Sequence, residues 1–394
     1  MARGSIASTG RGGAAFVDEP GMSVAMIYDM DACRWPTGVT RHALAQLERL
    51  ARRPELRFRF LSGRIGEPDG LAYWEKLGSI DRVELPIRTR DALRYWRFTS
   101  VPTIDFWAGN VDWVYVPAEW SIPTKKAKLA VTSHDVLQVV RHDSPRRAEQ
   151  LKRTFAAADL ILSVSNFNTD RFLERFPDRA DRLEYVPNAA DDLFFETATP
   201  EERGRVRSDL GIPAGMPYFL SVASFQPRKN LPRLVRAAAR IKEVERGEIA
   251  VVLIGAGNDD EARPIREAVA AAGPKARIRL PGYRQGELLR AIYAESLALV
   301  FPSVCESFGI PAVEAMAQGV PAALANSTAL PETGGEAGWY FDPENEESIA
   351  STLRDLIAGG AERDRRVTIG REIARRYRWD DSNRLLVEAL KKRK

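Results

Sequence analysis

The stretch that decides the fold is CESFGIPAVEAM, at residues 305–316. It follows an apolar run at 297–301 that is predicted to form a strand. A helix is predicted to begin around Gly309. Pro311 is compatible with this start, because a backbone N–H is not needed in the first helical turn. A strand, a short acidic loop and a helix in this order are the repeating unit of a parallel sheet covered by helices.

This loop and the first turn of the helix predict an anion site. Backbone N–H groups of Phe308, Gly309 and Ile310 would face an anion, with the positive end of the helix dipole behind them. A diphosphate fits this geometry. Glu314, one turn into the helix, can reach vicinal hydroxyls such as those of a ribose, and Glu306 lies at the other end of the ligand. The alternative is that both acids are ordinary surface residues.

A second loop, FQPRKN at residues 225–230, precedes another predicted helix. Its adjacent cations, Arg228 and Lys229, oppose the helix dipole unless an anion neutralises them. Arginine can bind phosphate oxygens with two parallel hydrogen bonds, and lysine adds a point charge. We therefore expect the pair to bind a leaving nucleoside diphosphate, with a solvated turn as the alternative.

Short β-branched runs alternate with amphipathic segments along the chain, which is typical of α/β proteins. The first series of predicted strands lies at 23–28, 58–62, 113–116, 128–133, 160–164 and 183–186. The second lies at 218–223, 249–254, 277–280, 297–301 and 322–324. The polar residues 196–215 separate the two series. We therefore predict a disordered tail at 1–20, domains at 21–198 and 199–376, and a closing helical segment at 377–394.

Composition excludes several classes of protein. The 394 residues exceed one usual core, and 44% hydrophobic residues exclude global disorder. No apolar run approaches the roughly 20 residues of a membrane span. The charge of +4, with no basic run interleaved with aromatics, does not indicate nucleic-acid binding. The two cysteines lie far apart in the sequence, which excludes a disulfide framework and fits a reducing compartment. Residues 1–20 lack the apolar core of a secretory signal. We therefore expect a cytoplasmic protein.

Local charge leaves one question open. Residues 41–64 contain seven arginines against two glutamates, and the chain ends with four basic residues at 391–394. These patches predict either a peripheral contact with an anionic membrane or, as we favour, a solvated helix face and a frayed end.

Several motifs together carry a resemblance to a known family. In order they are PRKN at 227–230, PGY at 281–283, FPS at 301–303, the segment 306–314, and AMAQGVP at 315–321. With them the sequence closely resembles the retaining glycosyltransferases of family 4. A thinner match in the first half rests on SHD at 133–135, ADLILSVS at 158–165 and VPN at 186–188. The resemblance covers most of residues 128–390 and implies the GT-B architecture, in which two Rossmann-like domains face a central cleft.

The resemblance also implies an activity. A nucleotide-sugar donor would bind the second domain, a saccharide or lipid-linked saccharide acceptor the first, and a hexosyl unit would be transferred with retention in cell-surface glycan biosynthesis. Arg228 and Lys229 would hold the diphosphate, with Ser307 and its three successors at the helix start. Glu314 would bind the ribose and Tyr283 would lie near the base. No metal or other cofactor would be needed, because cations and the helix end stabilise the leaving group.

The same resemblance gives roles to three further positions. Glu306 and His134 would lie against the donor sugar as the catalytic pair, with Glu306 orienting the sugar rather than attacking it. Gly38 is what remains of the family's glycine-rich first loop and would contact acceptor or phosphate. Ser224 and Ala189 stand where many relatives carry Arg and Gly, and we expect Arg228 to replace the missing arginine. No motif surrounds the other histidines, at 42 and 142.

Other readings compete with this one. Asp29 and Asp31 resemble the metal-binding acidic pair of the other large glycosyltransferase class. A sugar-nucleotide epimerase of similar build and a non-catalytic scaffold are further alternatives. Dinucleotide and P-loop sites fail, since the GAG at 255–257 lacks its third glycine and no glycine precedes a lysine. We expect Trp379 at the domain junction, and one or two of the tryptophans at 35, 74, 96, 107, 113 and 120 in the cleft.

Overall fold

The computed structural model describes residues 21–34, 36–78, 80–134, 136 and 145–393. The predicted tail at 1–20, together with Trp35, Asp135, His142 and Lys394, lies outside the described residues. Two parallel sheets covered by helices make up the structure, which confirms the predicted α/β class.

The first sheet has seven parallel strands in the spatial order β3-β2-β1-β4-β5-β6-β7. Their bounds are β1 Met22–Ile27, β2 Leu56–Gly63, β3 Asp81–Leu85, β4 Trp113–Val116, β5 Lys128–Ser133, β6 Leu160–Ser163 and β7 Leu183–Tyr185. Strand β3 was not predicted. It is a largely exposed edge strand of sequence DRVEL, so it lacks the apolar run that marks a central parallel strand.

Helices cover both faces of the first sheet. Helix α1 begins after Thr37, whose side chain accepts a hydrogen bond from the backbone N–H of Thr40 and so caps the helix. The helices are α1 Gly38–Leu50, α2 Pro68–Lys76, α3 Thr89–Tyr95, α4 Asp105–Ala108, α5 Pro145–Ala157 and α6 Asn166–Arg175.

The second sheet has six parallel strands in the order β10-β9-β8-β11-β12-β13. Their bounds are β8 Tyr218–Val222, β9 Ala250–Ile254, β10 Ile278–Gly282, β11 Ala298–Phe301, β12 Ala322–Ala325 and β13 Gly338–Phe341. The edge strand β13 was not predicted from sequence. Its helices are α7 Pro200–Leu210, α8 Leu231–Ala239, α9 Lys242–Glu245, α10 Asp259–Ala271, α11 Gly286–Ala294, α12 Ile310–Ala317, α13 Leu330–Gly334, α14 Glu346–Ala358, α15 Ala361–Ala374 and α16 Trp379–Lys392.

Alternation along β1 shows why the first sheet is buried on both sides. Val24 and Met26 pack into one hydrophobic cluster, whereas Ala25 and Ile27 pack into another on the opposite face. The second sheet has a cluster of its own, and Trp379 belongs to it. Leu386 and Leu390, later in the same helix α16, belong instead to the first domain. Helix α16 therefore begins in one core and ends in the other.

The chain passes between the two sheets twice, and the two passages lie side by side. Ala190, on the first passage, forms an isolated parallel bridge with Arg378, on the second, and its N–H donates to the carbonyl of Tyr377 at 3.3 Å. Trp379 is buried there and donates from Nε1 to Asp191 Oδ1 at 2.9 Å. Helix α16 then packs on α1, where Gln46 donates to Ser382 Oγ at 3.0 Å.

None of the helices in the described ranges combines the length and the apolar character that crossing a lipid bilayer requires.

Candidate active site

A cavity of about 1250 Å³ lies between the carboxyl ends of the two sheets. Both domains line it. Every site residue predicted from the sequence lines this cavity except Glu314, so the loop after β8 and the start of α12 open onto the same space. The lining residues among the predicted ones are Gly38, His134, Arg228, Lys229, Tyr283, Glu306, Ser307, Phe308, Gly309 and Ile310.

The predicted basic loop forms a short 3₁₀ turn at Pro227–Lys229 on the cavity wall. Asn230 follows in the left-handed conformation, with φ of 58°, and α8 begins at the next residue. Arg228 is fixed by two hydrogen bonds, from Nε to Gln226 Oε1 and from Nη1 to the carbonyl of Cys305, both at 3.0 Å. The side chain of Lys229 is buried, with Nζ 5.4 Å from the centre of the Phe301 ring.

Glu306 is the carboxylate that these cations meet. Lys229 Nζ donates to Oε1, Ser303 Oγ donates to the same oxygen at 2.5 Å, and Arg228 Nη1 lies 3.5 Å from it. Burial acts to raise the pKa of Glu306, but the charges of Lys229 and Arg228 outweigh it and lower the pKa below its ordinary value. Two cations thus lie against one ionised carboxylate on the cavity wall.

The start of α12 is built for close approach. Gly309 has φ of 103°, and a Cβ on it would lie 2.6 Å from Leu330 Cδ2, so only glycine fits here. Among the residues that the structure describes, no acceptor takes a hydrogen bond from the backbone N–H of Phe308, Gly309 or Ile310. These three groups are therefore available to an anion in the cavity, as the helix geometry predicts.

Glu314 is fully buried and is not among the residues that line the cavity. Its Oε1 forms an ion pair with Nη2 of Arg41, and its Oε2 accepts a hydrogen bond from Tyr293 OH at 2.7 Å. The same Arg41 nitrogen donates to Asp191 Oδ2 at 2.8 Å. Although burial opposes it, the two carboxylates raise the pKa of Arg41. The predicted ribose carboxylate is thus held by an arginine from the opposite domain.

Tyr283 and Gly38 mark opposite sides of the cavity. Tyr283 follows β10, and its OH donates to Gln285 Oε1 at 3.3 Å; burial raises the pKa of its phenol. Gly38 is the first residue of α1, and a Cβ on it would lie 3.7 Å from Ile310 Cδ1. The two domains therefore meet where α1 and α12 begin.

His134 is buried after β5, with Nε2 3.1 Å from the carbonyl of Pro117. A carbonyl only accepts, so Nε2 donates, and Nδ1 is the nitrogen left for a ligand. His42 packs edge-on against it, with ring centroids 4.8 Å apart. Burial, assisted by His134, lowers the pKa of His42 well below its ordinary value, so His42 is neutral. It bonds Asn188 Oδ1 at 2.8 Å and Tyr115 OH at 2.9 Å.

Two expectations from the sequence are not met. Asp31, of the acidic pair, accepts backbone hydrogen bonds from Gly66 and Glu67 at 2.7 and 3.0 Å, and neither Asp29 nor Asp31 lines the cavity. Within the described ranges, no group of three or more His, Cys, Asp or Glu side chains is arranged to hold a metal ion. The described tryptophans before residue 121 also line no part of the cavity, and Trp379 does so instead.

Sequence reasoning missed Arg41 and His42. Arg41 lies on a polar stripe of α1 that continues through Glu48 and Arg49 and lines the cavity. The spacing of that stripe was visible, but a stripe facing a cleft and one facing solvent have the same sequence pattern. His42 carries no motif, and its role depends on neighbours 73 to 146 positions away.

Two Rossmann-like domains whose parallel sheets face a common cleft are the GT-B architecture of glycosyltransferases. Residues 202–373 match the family model for glycosyl transferases group 1. An O-antigen chain mannosyltransferase B from Escherichia coli is 27% identical over 287 residues, which cover 71% of this chain and 74% of that protein. A D-inositol 3-phosphate glycosyltransferase from Nocardia farcinica is 28% identical over 229 residues, 56% of this chain and 50% of that one. Residues 202–373 therefore carry a domain of the glycosyl transferases group 1 family, and the chain is a glycosyltransferase.

Solved structures agree on the fold. A glycosyltransferase from Rickettsia africae superposes with a TM-score of 0.74 at 16% identity, covering 95% of this chain and 99% of that one. Anabaena HepE in complex with UDP and glucose gives the same TM-score and identity, covering 94% and 99%. The predicted GT-B architecture is thus confirmed.

Proposed function

We propose that this chain is a retaining, metal-independent glycosyltransferase of family 4. It moves a hexosyl unit from a nucleoside-diphosphate sugar to a saccharide or lipid-linked saccharide acceptor in cell-surface glycan biosynthesis. The observation that carries the proposal is the cluster of Arg228, Lys229 and Glu306 on the cavity wall, next to the amide groups at the start of α12.

The cluster assigns a task to each part. Arg228, Lys229 and the N–H groups of residues 308–310 stabilise the negative charge that develops on the departing diphosphate. Glu306, whose pKa is lowered, stays ionised at neutral pH and has no proton to give. It therefore accepts hydrogen bonds from the sugar and stabilises positive charge at the anomeric carbon. His134 offers Nδ1 to a sugar hydroxyl from the opposite side of the cavity.

The relatives support this reading of the substrates. One is named for mannosyl transfer to O-antigen chains, and Anabaena HepE was solved with UDP and glucose. We place the protein in the cytoplasm, where its two cysteines would stay reduced; Cys33 and Cys305, both in the described part of the chain, form no disulfide.

The test is a screen of the purified protein with UDP-, GDP- and ADP-sugars, in which release of the nucleoside diphosphate is measured with and without EDTA. We expect release from one class of donor, unchanged by EDTA, and loss of release in Lys229→Ala. NMR of the transferred sugar should show the anomeric configuration of the donor. Loss of activity in EDTA would contradict metal independence. Conversion of the donor without release would indicate an epimerase, and nucleotide binding without either reaction would indicate a scaffold.

A further inference from the structure

The most exposed large hydrophobic side chains of the described residues are confined to one stretch of the first domain. Phe98 is 91% exposed and Phe106 is 79% exposed. An apolar groove of about 220 Å³ in the same stretch is lined by residues that include Ile87, Tyr95 and Trp107, and the ring centroids of Phe106 and Trp107 are 5.2 Å apart. With the exposed arginines around it, we call this the aromatic–arginine surface, formed by Ile87, Tyr95, Phe98, Val101, Phe106, Arg88, Arg90, Arg94 and Arg97.

The charge of this surface is positive. Residues 86–107 contain four arginines, two aspartates and no glutamate. Both aspartates are engaged: Asp91 pairs with Arg94 at 3.2 Å, and Asp105 accepts the backbone N–H groups of residues 125–127. Burial acts to raise the pKa of Asp105, but these backbone hydrogen bonds lower it. The negative charge of Asp105 is therefore stabilised within the chain and does not offset the arginines. The exposed Lys125 and Lys126 add two cations beside it.

The arginine-rich segment at 41–64, considered above for membrane contact, is by contrast largely turned inward. Arg41 pairs with Asp191 and Glu314, Arg49 pairs with Asp192 and Asp380 at 2.6 Å each, and Arg59 is buried against Asp81 at 2.7 Å. The last basic residues also have partners, since Lys392 and Arg393 both bond Glu184. Because these cations pair with carboxylates of the same chain, they are less suited to a membrane contact than the exposed arginines at 86–107.

The position of the aromatic–arginine surface relates it to the cleft. Ile87 follows the last residue of β3, at the carboxyl edge of the sheet where the cleft opens. Helix α3 runs back from that edge along the flank of the domain and carries Arg90 and Arg94. The surface thus extends from the mouth of the acceptor domain down one side of it.

We propose that the aromatic–arginine surface docks the protein on an anionic phospholipid bilayer. Exposed aromatic rings suit the boundary between acyl chains and headgroups, and guanidinium groups bind lipid phosphates with paired hydrogen bonds. A protein partner with an acidic rim or a second copy of this chain would be the competing occupants. The second copy is disfavoured because it would bring the four arginines of residues 86–107 against the same four.

This inference deepens the proposed function and rests on it in one respect, the lipid-linked acceptor that docking would bring to the cleft. Its test therefore uses vesicles that carry neither donor nor acceptor, so that docking is measured whether or not transfer occurs. The probes are vesicles of phosphatidylglycerol and phosphatidylcholine in equal parts, and vesicles of phosphatidylcholine alone, in a cosedimentation assay at low and high salt.

We expect binding to the anionic vesicles only, weakened by salt because the charges are exposed. The double variants Phe98→Ser/Phe106→Ser and Arg94→Glu/Arg97→Glu should each lower the partition coefficient about tenfold or more. Arg263→Glu is the matched control. Like Arg94 it forms an exposed pair with an aspartate three residues earlier at 3.2 Å, but it lies on the second domain, and it should bind as the wild type does.

Three results would overturn the proposal. The first is that the wild type fails to bind anionic vesicles at low salt, and the second is that both double variants, shown to be folded by circular dichroism, bind like the wild type. Sedimentation velocity gives the third: a dimer of the wild type that Phe98→Ser/Phe106→Ser dissociates would assign the surface to contact between copies. A failure of the proposed function would look different, because it would abolish nucleotide release and leave vesicle binding intact.

Discussion

Arg41 of the first domain forms an ion pair with Glu314 of the second, and Glu314 is fully buried. The contact joins α1 to α12 directly behind the wall that carries the anion site. If Glu314 binds the donor ribose, as the sequence predicts, Arg41 occupies the carboxylate that the donor needs. We therefore predict that ribose hydroxyls replace or share this ion pair, so that donor binding is coupled to the contact between the domains.

Replacing Arg41 tests that coupling. In Arg41→Ala the carboxylate of Glu314 would be buried without its cation, and loss of one partner of a buried pair costs about 3–5 kcal/mol. We expect a clear drop in the melting temperature, and a smaller drop in Arg41→Lys. The donor should then stabilise Arg41→Ala more than it stabilises the wild type, as measured by thermal shift with nucleotide sugar. Arg52→Ala, an exposed arginine just beyond the same helix, is the control. An equal thermal shift in Arg41→Ala and wild type would count against the coupling.

Lys229→Ala and Glu306→Ala should each lower the turnover number at least about tenfold, because the first removes charge from the leaving group and the second removes the carboxylate beside the sugar. The change is checked by steady-state kinetics of nucleotide release. Both proteins should remain folded by circular dichroism. Arg236→Ala is the control. It removes an exposed ion pair between Arg236 of α8 and Glu346 of α14, whose atoms are 2.7 Å apart, and it should leave turnover unchanged. Normal kinetics in either site variant would refute the assignment.

The pH profile should report the state of Glu306. The folded pKa of this carboxylate is lowered, so its ion pairs contribute stability above the unfolded value of about 4.3 and lose it as pH falls through the lower folded value. The acid limb of kcat/KM for donor hydrolysis should therefore lie below about 4.3. In Lys229→Ala, burial of Glu306 still acts to raise its pKa, while the cation that most lowers that pKa is lost. The acid limb should therefore move to higher pH. An acid limb that stays in place in this variant would mean that another group titrates.

His42 predicts a second, separate pH effect on stability. Its folded pKa is well below its unfolded value of about 6.5, so unfolding takes up a proton at acid pH. Its contribution is fully present above about 6.5 and is lost as pH falls, with a limiting slope of about 1.4 kcal/mol per pH unit. Urea unfolding between about pH 7 and about pH 5 should show this slope in the wild type, and His42→Gln should lose it. The same slope in both proteins would assign the effect elsewhere.

Local signals in the sequence predict the central strands and the start of α12, because apolar runs, Gly309 and Pro311 act over a few neighbouring residues. The edge strands β3 and β13 escape the same reasoning: β3 has the polar sequence DRVEL, and β13 is only four residues long, GWYF. The cavity position of Arg228, Lys229 and Glu306 follows from the rule that loops after parallel strands share one edge.

What the sequence does not reveal are contacts between distant segments. The ion pair of Arg41 with Glu314 spans the interdomain gap, so no window of sequence contains both partners. The packing of His42 against His134 depends likewise on how α1 sits on the first sheet. One or two of the early tryptophans are expected in the cleft because indole suits sugar rings, but Trp113 is fully buried and Trp120 stacks on Tyr28 at 5.4 Å.

The paired passages at Ala190 and Arg378 have a mechanical consequence. Two covalent connections that run side by side between the lobes resist twisting of one lobe against the other, but they permit bending about the line on which both lie. Opening and closing of the cleft should thus be a hinge motion about a single axis that runs along the two passages. Cleavage of the backbone in only one of these passages would leave the lobes tethered through the other.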